Sequence, residues 1–157
     1  MDINIDEFYD NIVSPFVRDF EREPSNLRCS YGAAWALDSF ASHIFYAFKV
    51  PAKDDGDYKE KILRPKSNAF KLVSNISTAT KHAKITRGRN KAKVKDSSEL
   101  VSEHGGWHSR FYIYDPNKWK YSIRVKSGEN VLPMILEAEK FLLEEMRNLQ
   151  NGIEKPK

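Results

Sequence analysis

The stretch Tyr31–Val50 constrains the fold of this chain more than any other feature of the sequence. Among its 20 residues only Asp38, His43 and Lys49 can carry a charge near neutral pH, so nearly every face of a helix here is apolar or small. A stretch of this length can span a bilayer, but a carboxylate in mid-span costs a few kcal/mol and disfavours that arrangement. The pattern therefore predicts that a helix from Pro24 to about Lys49 is the buried central helix of a bundle.

Apolar residues at spacings of three and four predict amphipathic helices on both sides of this central helix. The N-terminal one is interrupted at Ser14-Pro15, where a proline costs the helix a hydrogen bond and predicts a kink or a new start. Downstream, Ser67 or Asn68 can cap a third helix, and a short helix around Tyr58–Leu63 fits the connection before it. The chain is therefore predicted to be mainly α, a single domain over residues 1–157 built as a bundle of four to five helices. Its predicted parts are a helical core over about 4–83, a basic loop over 84–96, a β-hairpin over 107–126 and a C-terminal helix over 130–150.

The spacing of apolar residues changes from a helical period to a period of two before the last helix. Residues alternate over His108–Tyr114 and Trp119–Val125, and the four residues Asp115–Lys118 between them begin with Asp and Pro, which favour a turn. The pattern predicts a two-stranded antiparallel hairpin with a four-residue loop. Because an isolated hairpin is only marginally stable, we expect it to pack on the helices or to meet a second copy.

Positive charge is concentrated in one part of the chain, which we call the basic segment, residues 81–95. The formal net charge is +4, from 26 Lys and Arg against 22 Asp and Glu; removing the seven cations of the basic segment, which holds no acid, leaves 19 against 22, or −3. Such a cluster favours contacts with phosphates through counterion release, and it also fits a solvated loop that only keeps the protein in solution. The seven cations are Lys81, Lys84, Arg87, Arg89, Lys91, Lys93 and Lys95.

Cysteine and histidine usage predicts neither a metal site nor a cofactor. The lone Cys29 excludes a disulfide scaffold and a cysteine-based zinc module, and it favours a reducing compartment. His104 and His108 are four residues apart, but Gly105-Gly106 between them is incompatible with a helical pair of metal ligands. The acidic, mixed N-terminus resembles no signal or transit peptide, so we expect a cytoplasmic protein without a membrane partner.

Asp38 is the one acid in the apolar stretch, and a buried carboxylate needs a partner. If its helix and the helix that ends near His82 are antiparallel neighbours, the two residues come within about 4–5 Å along the helix axis. Asp38, His82 and Arg28 are therefore predicted to form a buried polar pin that fixes helix packing, and the alternative is the floor of a functional site. Further candidate partners are Lys81 and the hydroxyls of Thr78 and Thr80.

The stretches Leu27–His43 and Lys71–Gly88 together resemble the HEPN superfamily, helical bundles that include many RNA-cleaving toxins and defence proteins. The resemblance covers roughly residues 27–88, under half of the chain, and the predicted hairpin and last helix are not part of the usual pattern. It implies a helical bundle that forms a homodimer and has a role in phage or defence biology, such as a toxin–antitoxin system.

The catalytic motif of that superfamily is only half present. HEPN ribonucleases carry an Arg, four to six intervening residues and a His on one helix, and the resemblance implies that the Arg holds the scissile phosphate while the His transfers a proton. His82 matches the histidine by position, but the positions five, six and seven before it are Ser77, Ile76 and Asn75. The likeness is therefore to a degenerate member, in which His82 is the single candidate catalytic residue.

Three functions are compatible with this sequence. The favoured one is a non-catalytic HEPN-like module that binds the backbone of RNA or DNA through the basic segment, with aromatic side chains of the hairpin stacking on bases. The second is a protein–protein interaction subunit or inhibitor without a nucleic-acid role. The third is a metal-independent ribonuclease that uses His82. The sequence leaves enzymatic activity open and favours its absence.

Overall fold

The computed structural model describes residues 4–82, 94, 97–102, 123–126 and 128–153. Within these ranges the chain forms five helices and one pair of short strands, so the prediction of a mainly helical bundle is confirmed. Helix α1 comprises Ile5–Phe8, the π-helical turn Tyr9–Val13 and Ser14–Arg22; α2 is Leu27–Phe48; α3 comprises Asp55–Tyr58, the π-helical turn Lys59–Leu63 and Arg64–Lys66; α4 is Asn68–His82; and α5 is Val131–Ile153. A 3-10 turn, Ser97–Glu99, leads into β1 (Leu100–Ser102), which pairs with β2 (Ile123–Val125).

Helix α2 lies at the centre of the bundle, in contact with α1, α4 and α5. It begins after Asn26, whose side chain accepts hydrogen bonds from the N–H groups of Arg28 and Cys29, and it ends at Lys49 in the left-handed conformation. Its buried face carries many small side chains, which let the neighbouring helices approach closely. None of the helices in the described ranges combines the length and apolarity that a bilayer crossing requires.

Both π-helical turns precede a proline by two residues. The turn Tyr9–Val13 is followed by Ser14-Pro15, and the turn Lys59–Leu63 is followed by Arg64-Pro65. A proline cannot donate to the carbonyl four residues earlier, and its ring crowds that carbonyl, so a wider turn just before it relieves the clash. The interruption predicted at Pro15 is therefore a widened turn within α1 rather than a new start.

The strand pair differs from the predicted hairpin. Ile123–Val125 is extended, as the alternating pattern predicts, but it pairs antiparallel with Leu100–Ser102, with Val125 opposite Leu100. The other edge of β2 is also occupied, because the N–H of Ile123 donates to the carbonyl of Pro24 at 2.8 Å. The rest of the predicted hairpin, including His108–Tyr114 and the turn at 115–118, lies outside the described residues. The two-stranded hairpin is therefore not confirmed.

Caps and core positions set the remaining boundaries. The Ser67 hydroxyl accepts the N–H of Phe70 at 3.1 Å and caps α4, and Asn130 accepts the N–H of Leu132 at 3.2 Å at the start of α5. The strands join the helical core through their buried side chains. This shared core includes Val94, Leu100, Ile123, Val125, Ile135 and Leu142.

Candidate functional site

The carboxylate of Asp38 lies in the interior of the bundle, where Asp38 is 5% exposed. Its Oδ2 atom accepts a hydrogen bond from the hydroxyl of Ser77 at 3.1 Å and another from Nζ of Lys81 at 3.3 Å. Its Oδ1 atom lies 3.5 Å from Nζ of Lys59. Two ammonium groups and a hydroxyl therefore compensate the loss of water that a buried carboxylate suffers.

A second carboxylate shares one of these lysines. Nζ of Lys59 lies 3.6 Å from Oδ2 of Asp55 and 3.1 Å from the hydroxyl of Ser42, which itself donates to Asp55 at 2.7 Å. The hydrogen bond from Ser42 lowers the pKa of Asp55 below its ordinary value, helped by the Lys59 ammonium and opposed by burial. We call Asp38, Ser42, Asp55, Lys59, Ser77 and Lys81 the Asp38 cluster; its two carboxylates balance its two ammonium groups.

Each of three helices supplies one pair of residues to the Asp38 cluster, four positions apart in the sequence. Residues 38 and 42 come from α2, 55 and 59 from α3, and 77 and 81 from α4. Side chains four residues apart lie on the same face of a helix, so each pair points at one place between the helices. In the sequence, the whole cluster is therefore marked by three polar pairs with a spacing of four residues. The helices α2 and α4 supply only two of these pairs, and the third comes from α3.

The structure brings together only some of the residues predicted for the polar pin. Lys81 lies against Asp38, whereas Arg28 is exposed in the first turn of α2, ten residues and about 15 Å along the axis from Asp38. The hydroxyls of Thr78 and Thr80 donate to main-chain carbonyls of α4 rather than to the carboxylate. The side chain of His82 lies outside the described residues. Ser42, Asp55, Lys59 and Ser77 are the partners that sequence reasoning missed.

The basic segment begins at the Asp38 cluster. Lys81 is its first cation, and α4 ends one residue later, at His82. Near the other end of the segment, Val94 is fully buried and belongs to the hydrophobic core. Both flanks of residues 83–93 are therefore attached to the bundle. The cations Lys84, Arg87, Arg89, Lys91, Lys93 and Lys95 lie outside the described residues.

The described residues also bear on metal and thiol chemistry. No group of three or more His, Cys, Asp or Glu side chains in the described ranges is arranged to hold a metal ion. Burial raises the pKa of the Cys29 thiol, which disfavours the nucleophilic thiolate. Comparisons of the chain with protein-family models, curated proteins and solved structures found no match.

Proposed function

We propose that this protein binds the phosphate backbone of nucleic acid through the basic segment, as a non-catalytic HEPN-like helical module. The observation that carries the proposal is the charge distribution: seven cations and no acid in 15 consecutive residues of a chain whose remainder has a balance of −3. A module with this distribution gains affinity for a polyanion by releasing the counterions condensed on it. The attachment of both flanks to the bundle supports the same conclusion, because it limits the conformational entropy lost when a ligand binds.

The first cation of the basic segment contributes least to this binding. Lys81 shares its ammonium with the carboxylate of Asp38, which partly neutralises its positive charge. The phosphate contacts therefore come from the six cations between Lys84 and Lys95, and Lys81 ties the start of the segment to the bundle. Six phosphate contacts on a single strand correspond to a slope of log affinity against log salt of roughly −4.

Burial of the motif positions supports a binding role without catalysis. Asn75, Ile76 and Ser77 occupy the positions where the HEPN arginine is expected, and all three are buried in the bundle. Ser77 also donates to Asp38, so this face of α4 is used for packing. Helix α4 contains no arginine in its sequence, so a phosphate at His82 would find no guanidinium supplied by that helix.

The proposal also includes base stacking, the oligomeric state, the location and the biological role of the protein. Aromatic side chains of the segment 107–126, for which the sequence predicts a hairpin, stack on bases, and the module is a homodimer in the cytoplasm, working in phage or defence biology.

The test is a binding titration of the purified full chain with fluorescein-labelled RNA and DNA, single-stranded and duplex, over a series of salt concentrations. The test variant Arg87→Glu/Arg89→Glu/Lys91→Glu is compared with Arg22→Glu/Lys53→Glu/Arg147→Glu, whose three residues are exposed on the bundle. Both variants take the formal net charge from +4 to −2, because each exchange removes two charges and there are three exchanges.

We expect the first variant to bind far more weakly, and any binding that is left to have a salt slope flatter by roughly two units, because three of six phosphate contacts are gone. The control variant should keep the wild-type slope. Equal losses in both variants would refute a specific role for the basic segment. Wild-type protein that binds no nucleic acid, but co-purifies with one stoichiometric protein after nuclease treatment, would favour the interaction subunit instead. Cleavage of RNA by wild-type protein, lost in His82→Ala, would establish the ribonuclease.

A further inference from the structure

An exposed tryptophan lies next to the start of the basic segment. Trp35 is 41% exposed and stands three residues before Asp38 on α2. Side chains three residues apart on a helix are neighbours, with Cβ atoms about 5–6 Å apart. Asp38 in turn lies 3.3 Å from the ammonium of Lys81. The indole is therefore on the order of 10 Å from the first cation of the basic segment.

The indole of Trp35 is held in position from the α1 side. The ring of Phe16 meets it edge-on, with ring centroids 6.1 Å apart and an interplanar angle of 79°. Phe16 occupies the space above Gly32, where a Cβ atom would lie 2.5 Å from its Cδ1 atom. The glycine thus makes room for the phenylalanine that supports the tryptophan. An aromatic ring fixed in this way loses little conformational entropy when a flat ligand stacks on it.

We infer that Trp35 is a stacking platform for an unpaired base, and that the nucleic acid bound by the basic segment is single-stranded. This inference rests on the proposed function, since the cations supply the contacts that bring the strand to the bundle. The bases of a duplex are already stacked on each other, so their faces are closed to an indole, whereas a single strand can turn a base onto it. Charge complementarity selects nucleic acid as the occupant of this exposed aromatic surface.

Tyr46 provides a matched control on the same helix. It is 55% exposed and also aromatic, but it stands eight residues after Asp38, about 12 Å further along α2 and away from Trp35. If exposure alone made an aromatic side chain bind bases, Tyr46 would do so as well. If proximity to the basic segment is required, only Trp35 does.

The experiment measures the affinities of wild type, Trp35→Ala, Trp35→Phe and Tyr46→Ala for oligo(U) RNA, oligo(dT) DNA and a mixed-sequence RNA duplex. We expect Trp35→Ala to weaken single-strand binding roughly 5- to 10-fold, the lower part of the range for one stacked base, since the indole is partly covered. Trp35→Phe should recover part of that loss. Duplex binding by Trp35→Ala, and single-strand binding by Tyr46→Ala, should stay within about twofold of wild type.

A fluorescence measurement keeps the inference testable if Trp35→Ala folds poorly. The Trp107→Phe/Trp119→Phe variant keeps an aromatic ring at both positions, and all its tryptophan emission comes from Trp35, because the chain has 3 tryptophans. The salt titration first establishes that this variant binds oligo(U), and saturating oligo(U) should then quench the emission. Three results would each overturn the inference. Trp35→Ala loses the same affinity for single strand and duplex, the emission of Trp35 is not quenched, or Trp35→Ala changes the oligomeric state. These outcomes leave salt-dependent binding intact, whereas failure of the proposed function removes binding of every nucleic acid.

Discussion

The two lysines beside Asp38 should contribute very unequally to stability. Lys59 is 16% exposed at its side chain and serves two carboxylates, whereas Lys81 is 41% exposed and serves one. The same substitution, Lys→Met, removes the charge from either side chain at nearly unchanged length. Lys61 provides an exposed reference for the same substitution, because its side chain is 70% exposed and pairs with Asp57 at 2.7 Å on the surface.

The magnitudes follow from burial. Removing one partner of a fully buried ion pair costs about 3–5 kcal/mol, because the other charge is left uncompensated. In Lys59→Met, Asp38 keeps Lys81 and Ser77 as partners and water reaches Asp55, so we expect a loss of about 2–3 kcal/mol. Exposed pairs contribute about 0–1 kcal/mol, so Lys81→Met should lose at most about 1 kcal/mol. Lys61→Met removes a pair that water already screens, so its urea midpoint should stay close to that of the wild type.

Urea unfolding at neutral pH, monitored by circular dichroism, measures these differences in the free energy of unfolding. In thermal unfolding, a loss of about 2–3 kcal/mol corresponds to a drop in Tm of roughly 4–12 °C for a chain of this size. The variant Asp38→Asn/Lys59→Met adds a check: its loss should be smaller than the sum of the two single losses, because the uncompensated charge at Asp38 is gone. A Lys59→Met variant as stable as Lys81→Met would show that burial and the second carboxylate do not govern this cluster.

Two further predictions concern α1. Burial, with a hydrogen bond to Glu139, raises the pKa of Tyr9 from 10.0 to about 12. The folded state then keeps a proton that the unfolded chain releases, so the free energy of unfolding should fall as pH rises from about 10 to about 12. Tyr9→Phe should abolish this part of the pH dependence of urea unfolding. Gly32→Ala should destabilise the protein by about 1 kcal/mol in urea unfolding. Displacing Phe16 costs about 1–3 kcal/mol, and the higher helix propensity of alanine offsets up to about 1 kcal/mol of that cost. A variant more stable than wild type would mean that Phe16 moves aside freely.

The helices were largely predictable because the sequence marks them by local patterns. The scarcity of charge over Tyr31–Val50 indicated a buried helix, and α2 has ten buried residues between Cys29 and Ile44. Ser67 was one of two predicted caps for α4 and is the one whose hydroxyl accepts a hydrogen bond there. These features depend on residues within a few positions of each other, which is the range over which sequence patterns are informative.

The strands and most of the site depend on contacts between distant residues. The strand Leu100–Ser102 has only three residues, too few for an alternating pattern to be recognised, and its partner is more than 20 positions away. Asp38 was identifiable because it is a lone acid in an apolar stretch. Lys59 was not, because it lies among many charges, and only the packing of α3 on α2 shows that it is the buried one.

The opposed positions of Ser102 and Ile123 have a consequence for how the surface of this protein can change. Antiparallel partners lie only about 5 Å apart, a gap that a tight turn can bridge. Replacing the 20 residues between them by a four-residue turn would lower the entropic cost of closing that connection by about 1.4 kcal/mol. The paired ends of the two strands are thus a site at which a connecting segment can be inserted, shortened or exchanged during evolution while the helices keep their arrangement.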